Sequence, residues 1–318
     1  MESIGRQLAV LAAVLIGAGF VASGCGGDSS SDASGASGLS GTVTADGSST
    51  VFPIMQAVAE EYRADNGDVD VSVGESGTGG GMEKFCRGEI DIADASRPIK
   101  DEERAACTKA GVAFVELAVA LDGLSVVVNP ENDFVDCLTM QQLATIWGPK
   151  STVDSWKQVD DSFPDSDLTL YGPGTASGTF EYFTEAVNGE KGASRSDYTA
   201  SEDDNVLVKG VAGDPGALGY FGYGYVSQNP DSVRAVAVDS GDGCVEPSVE
   251  TIGDGTYAPL SRPLYVYVAT KAAKRAEVAA YVDFLLANVR ELSTSVGFVA
   301  LPTADLEQSK TTWKAVTS

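Results

Sequence analysis

The sequence of 318 residues contains no histidine, and its 21 lysine and arginine residues are outnumbered by 46 aspartate and glutamate residues. The absence of histidine excludes Ser-His-Asp and Cys-His catalytic arrangements and removes the commonest zinc ligand. The net charge of -25 argues against DNA, RNA or an anionic membrane surface as a partner, because these require clustered basic residues. This composition disfavours an enzyme, and we expect no catalytic residue, metal or cofactor.

The first 25 residues contain one cation, Arg6, and an apolar run from Leu8 to Val21, and they predict an export signal over residues 1–24. The stretch "ASGC" resembles the lipobox of bacterial lipoproteins, although Ala22 stands where leucine is usual, and it makes Cys25 the predicted lipidation site. A transmembrane anchor is the rival interpretation, which the shortness of the run disfavours. Residues 25–40 are rich in glycine and serine and predict a flexible tether.

The remaining chain alternates strand-like and helix-like segments. Val69, Val71 and Val73 alternate in strand period, whereas the residues from Ile54 to Tyr62 place apolar side chains on one helical face. Two long β-rich runs, 112–130 and 259–269, could carry the chain between halves. This order predicts two α/β lobes around a cleft.

Polar turns follow several of these predicted strands. Ser49, Ser76 and Ser96 each lie where a strand ends, and "SGT" at 177–179 precedes a helix-like pattern. In open α/β sheets, ligands bind at the carboxyl edge of the strands. Because the first-turn amides of a helix lack partners, such turns favour the binding of an anion. Since the protein is acidic overall, local geometry and not net charge must hold that anion.

Four cysteines remain after Cys25, and four cysteines allow three pairings. We expect Cys86 to pair with Cys107, and Cys137 with Cys244, because each bond then stays within one predicted lobe. A metal site is the alternative, but no CxxC spacing and no histidine support it.

The segments together resemble the phosphate-binding receptors of bacterial phosphate ABC importers, the PstS-like branch of the periplasmic binding proteins. The resemblance extends from about Gly41 to Pro302 and is carried by "DGSSTVFPI", "VGESGTGGGMEKF", "DIADASRPIK" and "GPGTASGTFEYF". It implies a type II fold with two α/β lobes, each a central sheet flanked by helices, joined by two hinge strands. The expected boundaries are 41–124 with 259–318 for lobe I, and 125–258 for lobe II.

The resemblance implies four ligand loops, which we transfer by matching motifs. The expected phosphate-binding residues are Ser49, Thr50, Val51, Ser76, Gly77, Thr78, Ser96, Arg97, Ser177, Gly178 and Thr179. The first loop carries an ambiguity of one position, and in the second loop either Ser76 or Thr78 supplies the hydroxyl.

Two departures from the family pattern concern charge. Pro173 stands where some members place an arginine, and Ser96 stands where such members place an acceptor aspartate. Arg97 is therefore the expected charge partner, with Arg262 as its competitor. Asp94 is a weaker candidate as acceptor of a phosphate proton.

The function implied is a lipid-anchored receptor on the outer face of the bacterial cytoplasmic membrane, monomeric, delivering phosphate to a membrane permease. Two alternatives stay open. The ligand could be another tetrahedral oxyanion such as sulfate, molybdate or a phosphonate. A secreted phosphate-ester hydrolase with Ser177 as nucleophile is disfavoured, because "GTASG" is not a GxSxG elbow and no histidine can act as base.

Overall fold

The structure is a computed structural model that describes residues 38–318. The predicted signal segment, the lipidation site Cys25 and most of the tether lie outside the described residues. The elements, in chain order, are β1 (Gly41–Gly47), α1 (Phe52–Asp65), β2 (Val69–Gly74), α2 (Gly77–Cys86), β3 (Ile92–Ala95), α3 (Asp101–Ala110), β4 (Phe114–Val128), β5 (Cys137–Thr139), α4 (Met140–Trp147), β6 (Thr169–Pro173), α5 (Gly178–Asn188), β7 (Thr199–Ser201), α6 (Asp204–Gly213), β8 (Ala217–Gly222), α7 (Tyr223–Gln228), β9 (Arg234–Asp239), β10 (Cys244–Val245), α8 (Val249–Gly253), β11 (Ser261–Ala269), α9 (Ala276–Ser295), β12 (Val299–Ala300) and α10 (Thr303–Thr317).

The strands form a mixed sheet flanked by helices, so the predicted α/β class is confirmed. The main order is β2-β1-β3-β11-β4-β8-β6-β7. The pairs β1–β2, β1–β3, β6–β7 and β6–β8 are parallel, whereas β11 and β4 run antiparallel to their neighbours. The parallel strands within each half therefore have their carboxyl ends, and the polar turns that follow them, at one edge of that half.

The long strand β4 joins the two halves of the sheet. Residues from Phe114 to Gly123 pair with β11, and those from Leu124 to Val128 pair with β8. The predicted β-rich runs thus form β4 and β11, and within residues 38–318 the pairing partners of β11 are β3 and β4. Most of β4 is buried, as expected for a strand covered on both faces.

Helices α1 and α9 cover one face of the first half of the sheet. Their fully buried side chains include Ile54 and Val58 from α1, and Tyr281 and Leu285 from α9. Each such aliphatic side chain stabilises the fold by about 1.5–3 kcal/mol through burial. The buried residues of α1 recur at helical spacing from Ile54 onward. Packing of this face against the sheet fixes the start of α1, and with it the turn that precedes the helix.

Each half of the molecule contains one disulfide bond. The structure contains Cys86–Cys107, between α2 and α3, and Cys137–Cys244, between β5 and β10. These are the two pairs that the sequence predicts. Cys137 itself lies in a strand, whereas its neighbour Thr139 caps α4 as expected, its Oγ1 accepting from the amide of Gln142 at 3.1 Å.

Candidate anion-binding site

The first polar turn lies between β1 and α1 and is held by its own hydrogen bonds. The amide of Ser48 donates to the carbonyl of Asp94 at 2.9 Å, and Ser48 Oγ accepts from the amide of Thr50 at 3.2 Å. The amide of Val51 donates to Ser48 O at 3.1 Å as α1 begins. Because these amides are occupied, the hydroxyls of Ser49 and Thr50 are the donors that this turn offers most directly.

The second and third turns meet at a pair of hydroxyl groups. Thr78 Oγ1 lies 3.2 Å from Ser96 Oγ and also accepts from the amide of Ser96 at 3.2 Å. Ser76, in contrast, directs both its amide and its hydroxyl to Asp46 Oδ1, at 3.0 and 2.6 Å. Of the two residues left open by the sequence, Thr78 is therefore the one whose hydroxyl points toward another predicted ligand loop. Gly77, at φ 75°, begins the helix between them.

The fourth turn, at the start of α5, packs directly on the first. Ser177 Oγ accepts from the amide of Thr179 at 3.1 Å and caps the helix. A Cβ atom at Gly178 would lie 2.5 Å from Thr50 Oγ1 and 2.9 Å from Ser49 Oγ. Only glycine permits this approach, since real Cβ contacts are essentially never so short. Turns that are distant in the sequence, at Ser49–Thr50 and at Gly178, are thereby brought to one point.

Arg97, in the third turn, is held by an ion pair with Glu103. Its guanidinium makes two hydrogen bonds to Glu103, at 2.7 and 2.8 Å, and a third to the carbonyl of Pro98 at 3.1 Å. Glu103 belongs to α3, so this ion pair ties Arg97 to the helix that follows it in sequence. The contact argues against the role expected of Arg97 as charge partner of the ligand.

Arg262, the competing cation, reaches the first turn. Its Nη2 donates to Thr50 Oγ1 at 2.9 Å and to Asp122 Oδ2 at 3.2 Å, and its Nε donates to the same carboxylate oxygen at 3.2 Å. The guanidinium carbon lies 3.6 Å from the centre of the Tyr182 ring on α5. No hydrogen bond to the described residues occupies Nη1, so this nitrogen can donate to a ligand.

Three carboxyl groups, those of Asp122, Asp204 and Asp94, have a raised pKa. Burial raises the pKa of Asp122, with Arg262 opposing the shift. Burial, together with the charges of Asp203 and Asp122, raises the pKa of Asp204 to about 7. Asp94 is fully buried, and the pKa of its carboxyl is raised well above the usual range by burial and by Asp46. The site therefore combines hydroxyl donors and one guanidinium with the buried carboxylate of Asp122, which accepts two hydrogen bonds from that guanidinium.

The motif comparison missed two residues of the candidate site, Asp122 and Tyr182, which contact Arg262. Asp122 is 2% exposed and lies in the apolar run "VALDGLSVVV" of β4. An aspartate is almost never buried unless it is paired. Its position in an apolar strand could therefore have identified Asp122 as a candidate from the sequence alone. Tyr182 carries no comparable signal, since its spacing in α5 also suits an ordinary buried aromatic residue.

Other site types are not found in the part of the chain that the structure describes. Within residues 38–318, no group of three or more Cys, Asp or Glu side chains is arranged to hold a metal ion. The same residues include no helix with the length and apolar character needed to cross a membrane.

The comparisons with known proteins agree with this geometry. A family model described as a PBP superfamily domain matches residues 32–289, which defines the class as a periplasmic-binding-protein domain. The Protein SphX of Synechococcus elongatus is 52% identical over 263 residues, covering 82% of this chain and 77% of that protein. The Phosphate-binding protein PstS of Staphylococcus saprophyticus is 41% identical over 299 residues, covering 93% of this chain and 91% of that protein.

A crystal structure of a possible phosphate binding protein from Planctomyces limnophilus superposes with a TM-score of 0.84 at 46% identity, covering 88% of this chain and all of that chain. The chain belongs to the PstS-like family of the PBP superfamily, as the motifs predict. The Staphylococcus saprophyticus relative is described as a phosphate-binding protein, and the Planctomyces limnophilus structure as that of a possible phosphate binding protein.

Proposed function

We propose that this protein is the receptor of a phosphate ABC importer and binds inorganic phosphate between the four polar turns. The observation that carries the proposal is the meeting of Arg262, Thr50 and Gly178, which brings a guanidinium, a hydroxyl and a helix N-terminus to one point. The description of the Staphylococcus saprophyticus relative as a phosphate-binding protein supports the ligand.

The proposed site holds phosphate through short-range donors. The hydroxyls of Ser49, Thr50, Thr78 and Ser96, together with the amides at the start of α5, surround the oxygens, and Arg262 Nη1 supplies the charge. Each charge-assisted hydrogen bond is worth about 1.5–3 kcal/mol net. Micromolar binding requires about 8 kcal/mol, so a few such bonds are enough even after the cost of closure. The net charge of -25 has little influence at contact distance, since salt screens beyond about 8 Å.

We propose Arg262 in place of Arg97 as the positive charge. The ion pair of Arg97 with Glu103 supports this choice, because Glu103 holds both terminal nitrogens of the Arg97 guanidinium. None of the residues that the structure describes accepts a hydrogen bond from Arg262 Nη1, while its other nitrogens are held.

The proposal includes two lobes that close on the ligand, with the boundaries expected from the sequence. The change of pairing partner along β4 at Gly123 and Leu124 supports a division there. We further propose an exported monomer, anchored through lipidated Cys25, that delivers phosphate to a membrane permease. Mass spectrometry of the mature N-terminus tests the anchor.

An oxyanion such as sulfate or molybdate is the alternative ligand, since Ser96 replaces the acceptor aspartate. Selection of phosphate over sulfate then rests on Ser96 Oγ, a hydroxyl oxygen that can accept a hydrogen bond from the proton that phosphate carries and sulfate lacks. A hydrolase is not supported, because Ser177 Oγ accepts a hydrogen bond as a helix cap and no histidine exists to activate it.

Calorimetric titration with phosphate and with sulfate, each at pH 6 and pH 8, tests the ligand. We expect phosphate binding at both pH values and much weaker sulfate binding. Arg262→Gln should weaken phosphate binding at least about 30-fold, because a buried charge pair lost at an interface costs about 2 kcal/mol or more. The matched variant Arg97→Gln should stay within about threefold of wild type. The opposite result for the two arginines would return the role to Arg97.

A further inference from the structure

Asp122 and Arg262 are directly opposite each other on neighbouring strands. In the antiparallel pair of β4 and β11, Arg262 is the register partner of Asp122. Side chains at such positions lie on the same face of the sheet within contact distance. The contact between Asp122 and Arg262 is therefore fixed by the strand register, unlike an ion pair between two flexible surface side chains.

The ion pair is buried. The side chain of Asp122 is 3% exposed and that of Arg262 is 15% exposed. Removing one member of a buried pair is costly, because it leaves the other charge without its partner. Among the described residues, Arg262 supplies the hydrogen bonds that Asp122 accepts. The carboxylate thus has one task in this structure, which is to hold the guanidinium.

The contacts of Arg262 define its orientation. Asp122 takes the edge formed by Nε and Nη2, Thr50 takes the second hydrogen of Nη2, and the Tyr182 ring covers one face of the plane. The ring is itself positioned, because the hydroxyl of Tyr182 donates to the carbonyl of Pro259. A planar guanidinium held at one edge and one face has its remaining nitrogen, Nη1, aimed in a single direction.

We propose that Asp122 is a positioning residue for anion binding, acting through Arg262 and not by contact with the ligand. The inference rests on the proposed function, since it assigns the ligand to Nη1. Without Asp122 the long arginine side chain regains rotamer freedom, and binding must then order it. The carboxylate also limits how strongly the arginine attracts any anion, so its value to the site lies in geometry.

A double-mutant cycle separates this role from general destabilisation. Phosphate affinity is measured by calorimetry for the wild type, Asp122→Ala, Arg262→Gln and the double variant. We expect Asp122→Ala to bind phosphate at least about tenfold more weakly than wild type. The double variant should bind no more weakly than Arg262→Gln alone, because Asp122 has nothing left to position.

The control is Glu116→Gln, which removes another charge from β4. Glu116 faces Arg104 at 3.8 Å and is half-exposed, so its loss should leave phosphate affinity unchanged. Asp122→Asn serves if Asp122→Ala fails to fold. It keeps an acceptor oxygen, so we expect a loss of about three- to tenfold that again disappears in the Arg262→Gln background.

Three results would overturn the inference. Wild-type affinity in Asp122→Ala would show that the arginine needs no support, and higher affinity would show that Asp122 only opposes its charge. Losses that multiply in the double variant would show that Asp122 acts independently of Arg262. Failure of the wild type to bind phosphate is a separate outcome that rejects the proposed function itself.

Discussion

Replacing Asp94 with asparagine tests whether the buried carboxyl beneath the first polar turn is protonated. Asp94 is 0% exposed, and neither carboxyl oxygen has a hydrogen-bond partner among residues 38–318. Burial, reinforced by the charge of Asp46, raises its pKa well above the usual value. An ionised carboxylate in this position would be strongly unfavourable, so folding should take up a proton once the pH exceeds the pKa of the unfolded state.

The sign and size of the effect follow from proton linkage. The pKa of Asp94 is higher in the folded than in the unfolded protein. Its contribution to stability is therefore complete below the unfolded value of about 3.9 and is lost as the pH rises toward the folded value. Between these limits the wild type loses about 1.4 kcal/mol per pH unit from this group. Asparagine does not titrate, so the stability of Asp94→Asn relative to wild type should rise by that amount per unit.

Urea denaturation at pH 5, 6 and 7 measures this difference, with equal m-values as the check that both proteins unfold alike. Other groups, such as Asp204 with its pKa raised to about 7, are present in both proteins and cancel in the comparison. Asp70→Asn, which changes an exposed carboxylate on β2, should show a constant difference. Parallel pH curves for wild type and Asp94→Asn would refute the conclusion that Asp94 is protonated.

Two further predictions concern packing and crosslinks. Gly178→Ala should weaken phosphate binding, measured by calorimetry, at least about tenfold, because the new Cβ would lie 2.5 Å from Thr50 in the first turn. The control Gly213→Ala should bind phosphate normally, because no atom lies within 4 Å of the position of its Cβ. Unfolding in urea should show a larger loss on removing Cys137–Cys244 than Cys86–Cys107, about 4.8 against 3.3 kcal/mol in the chain-entropy treatment, because the sequence separations are 107 and 21. Equal losses would contradict that explanation.

Much of the fold could be predicted from the sequence, because apolar runs and capping residues indicate strands and helix starts locally. The long apolar runs became β4 and β11, and Ser177 and Thr139 cap the helices that follow them. Helix α3 gave no such signal, since Cys107 is its one buried residue and apolar periodicity is therefore absent. The same reason applies to α10, whose buried side chains are few.

The sequence by itself determined which residue types the candidate site contains: turns rich in serine, threonine and glycine at strand ends, and cysteines for two crosslinks. Only the tertiary structure determined which arginine lies against these turns. Arg97 is adjacent to a ligand-loop motif yet bonds Glu103, whereas Arg262 lies 140 positions from Asp122 and still pairs with it. The physical reason is that the position of a charge depends on strand register, which is a property of the paired strands and not of the residues around either one.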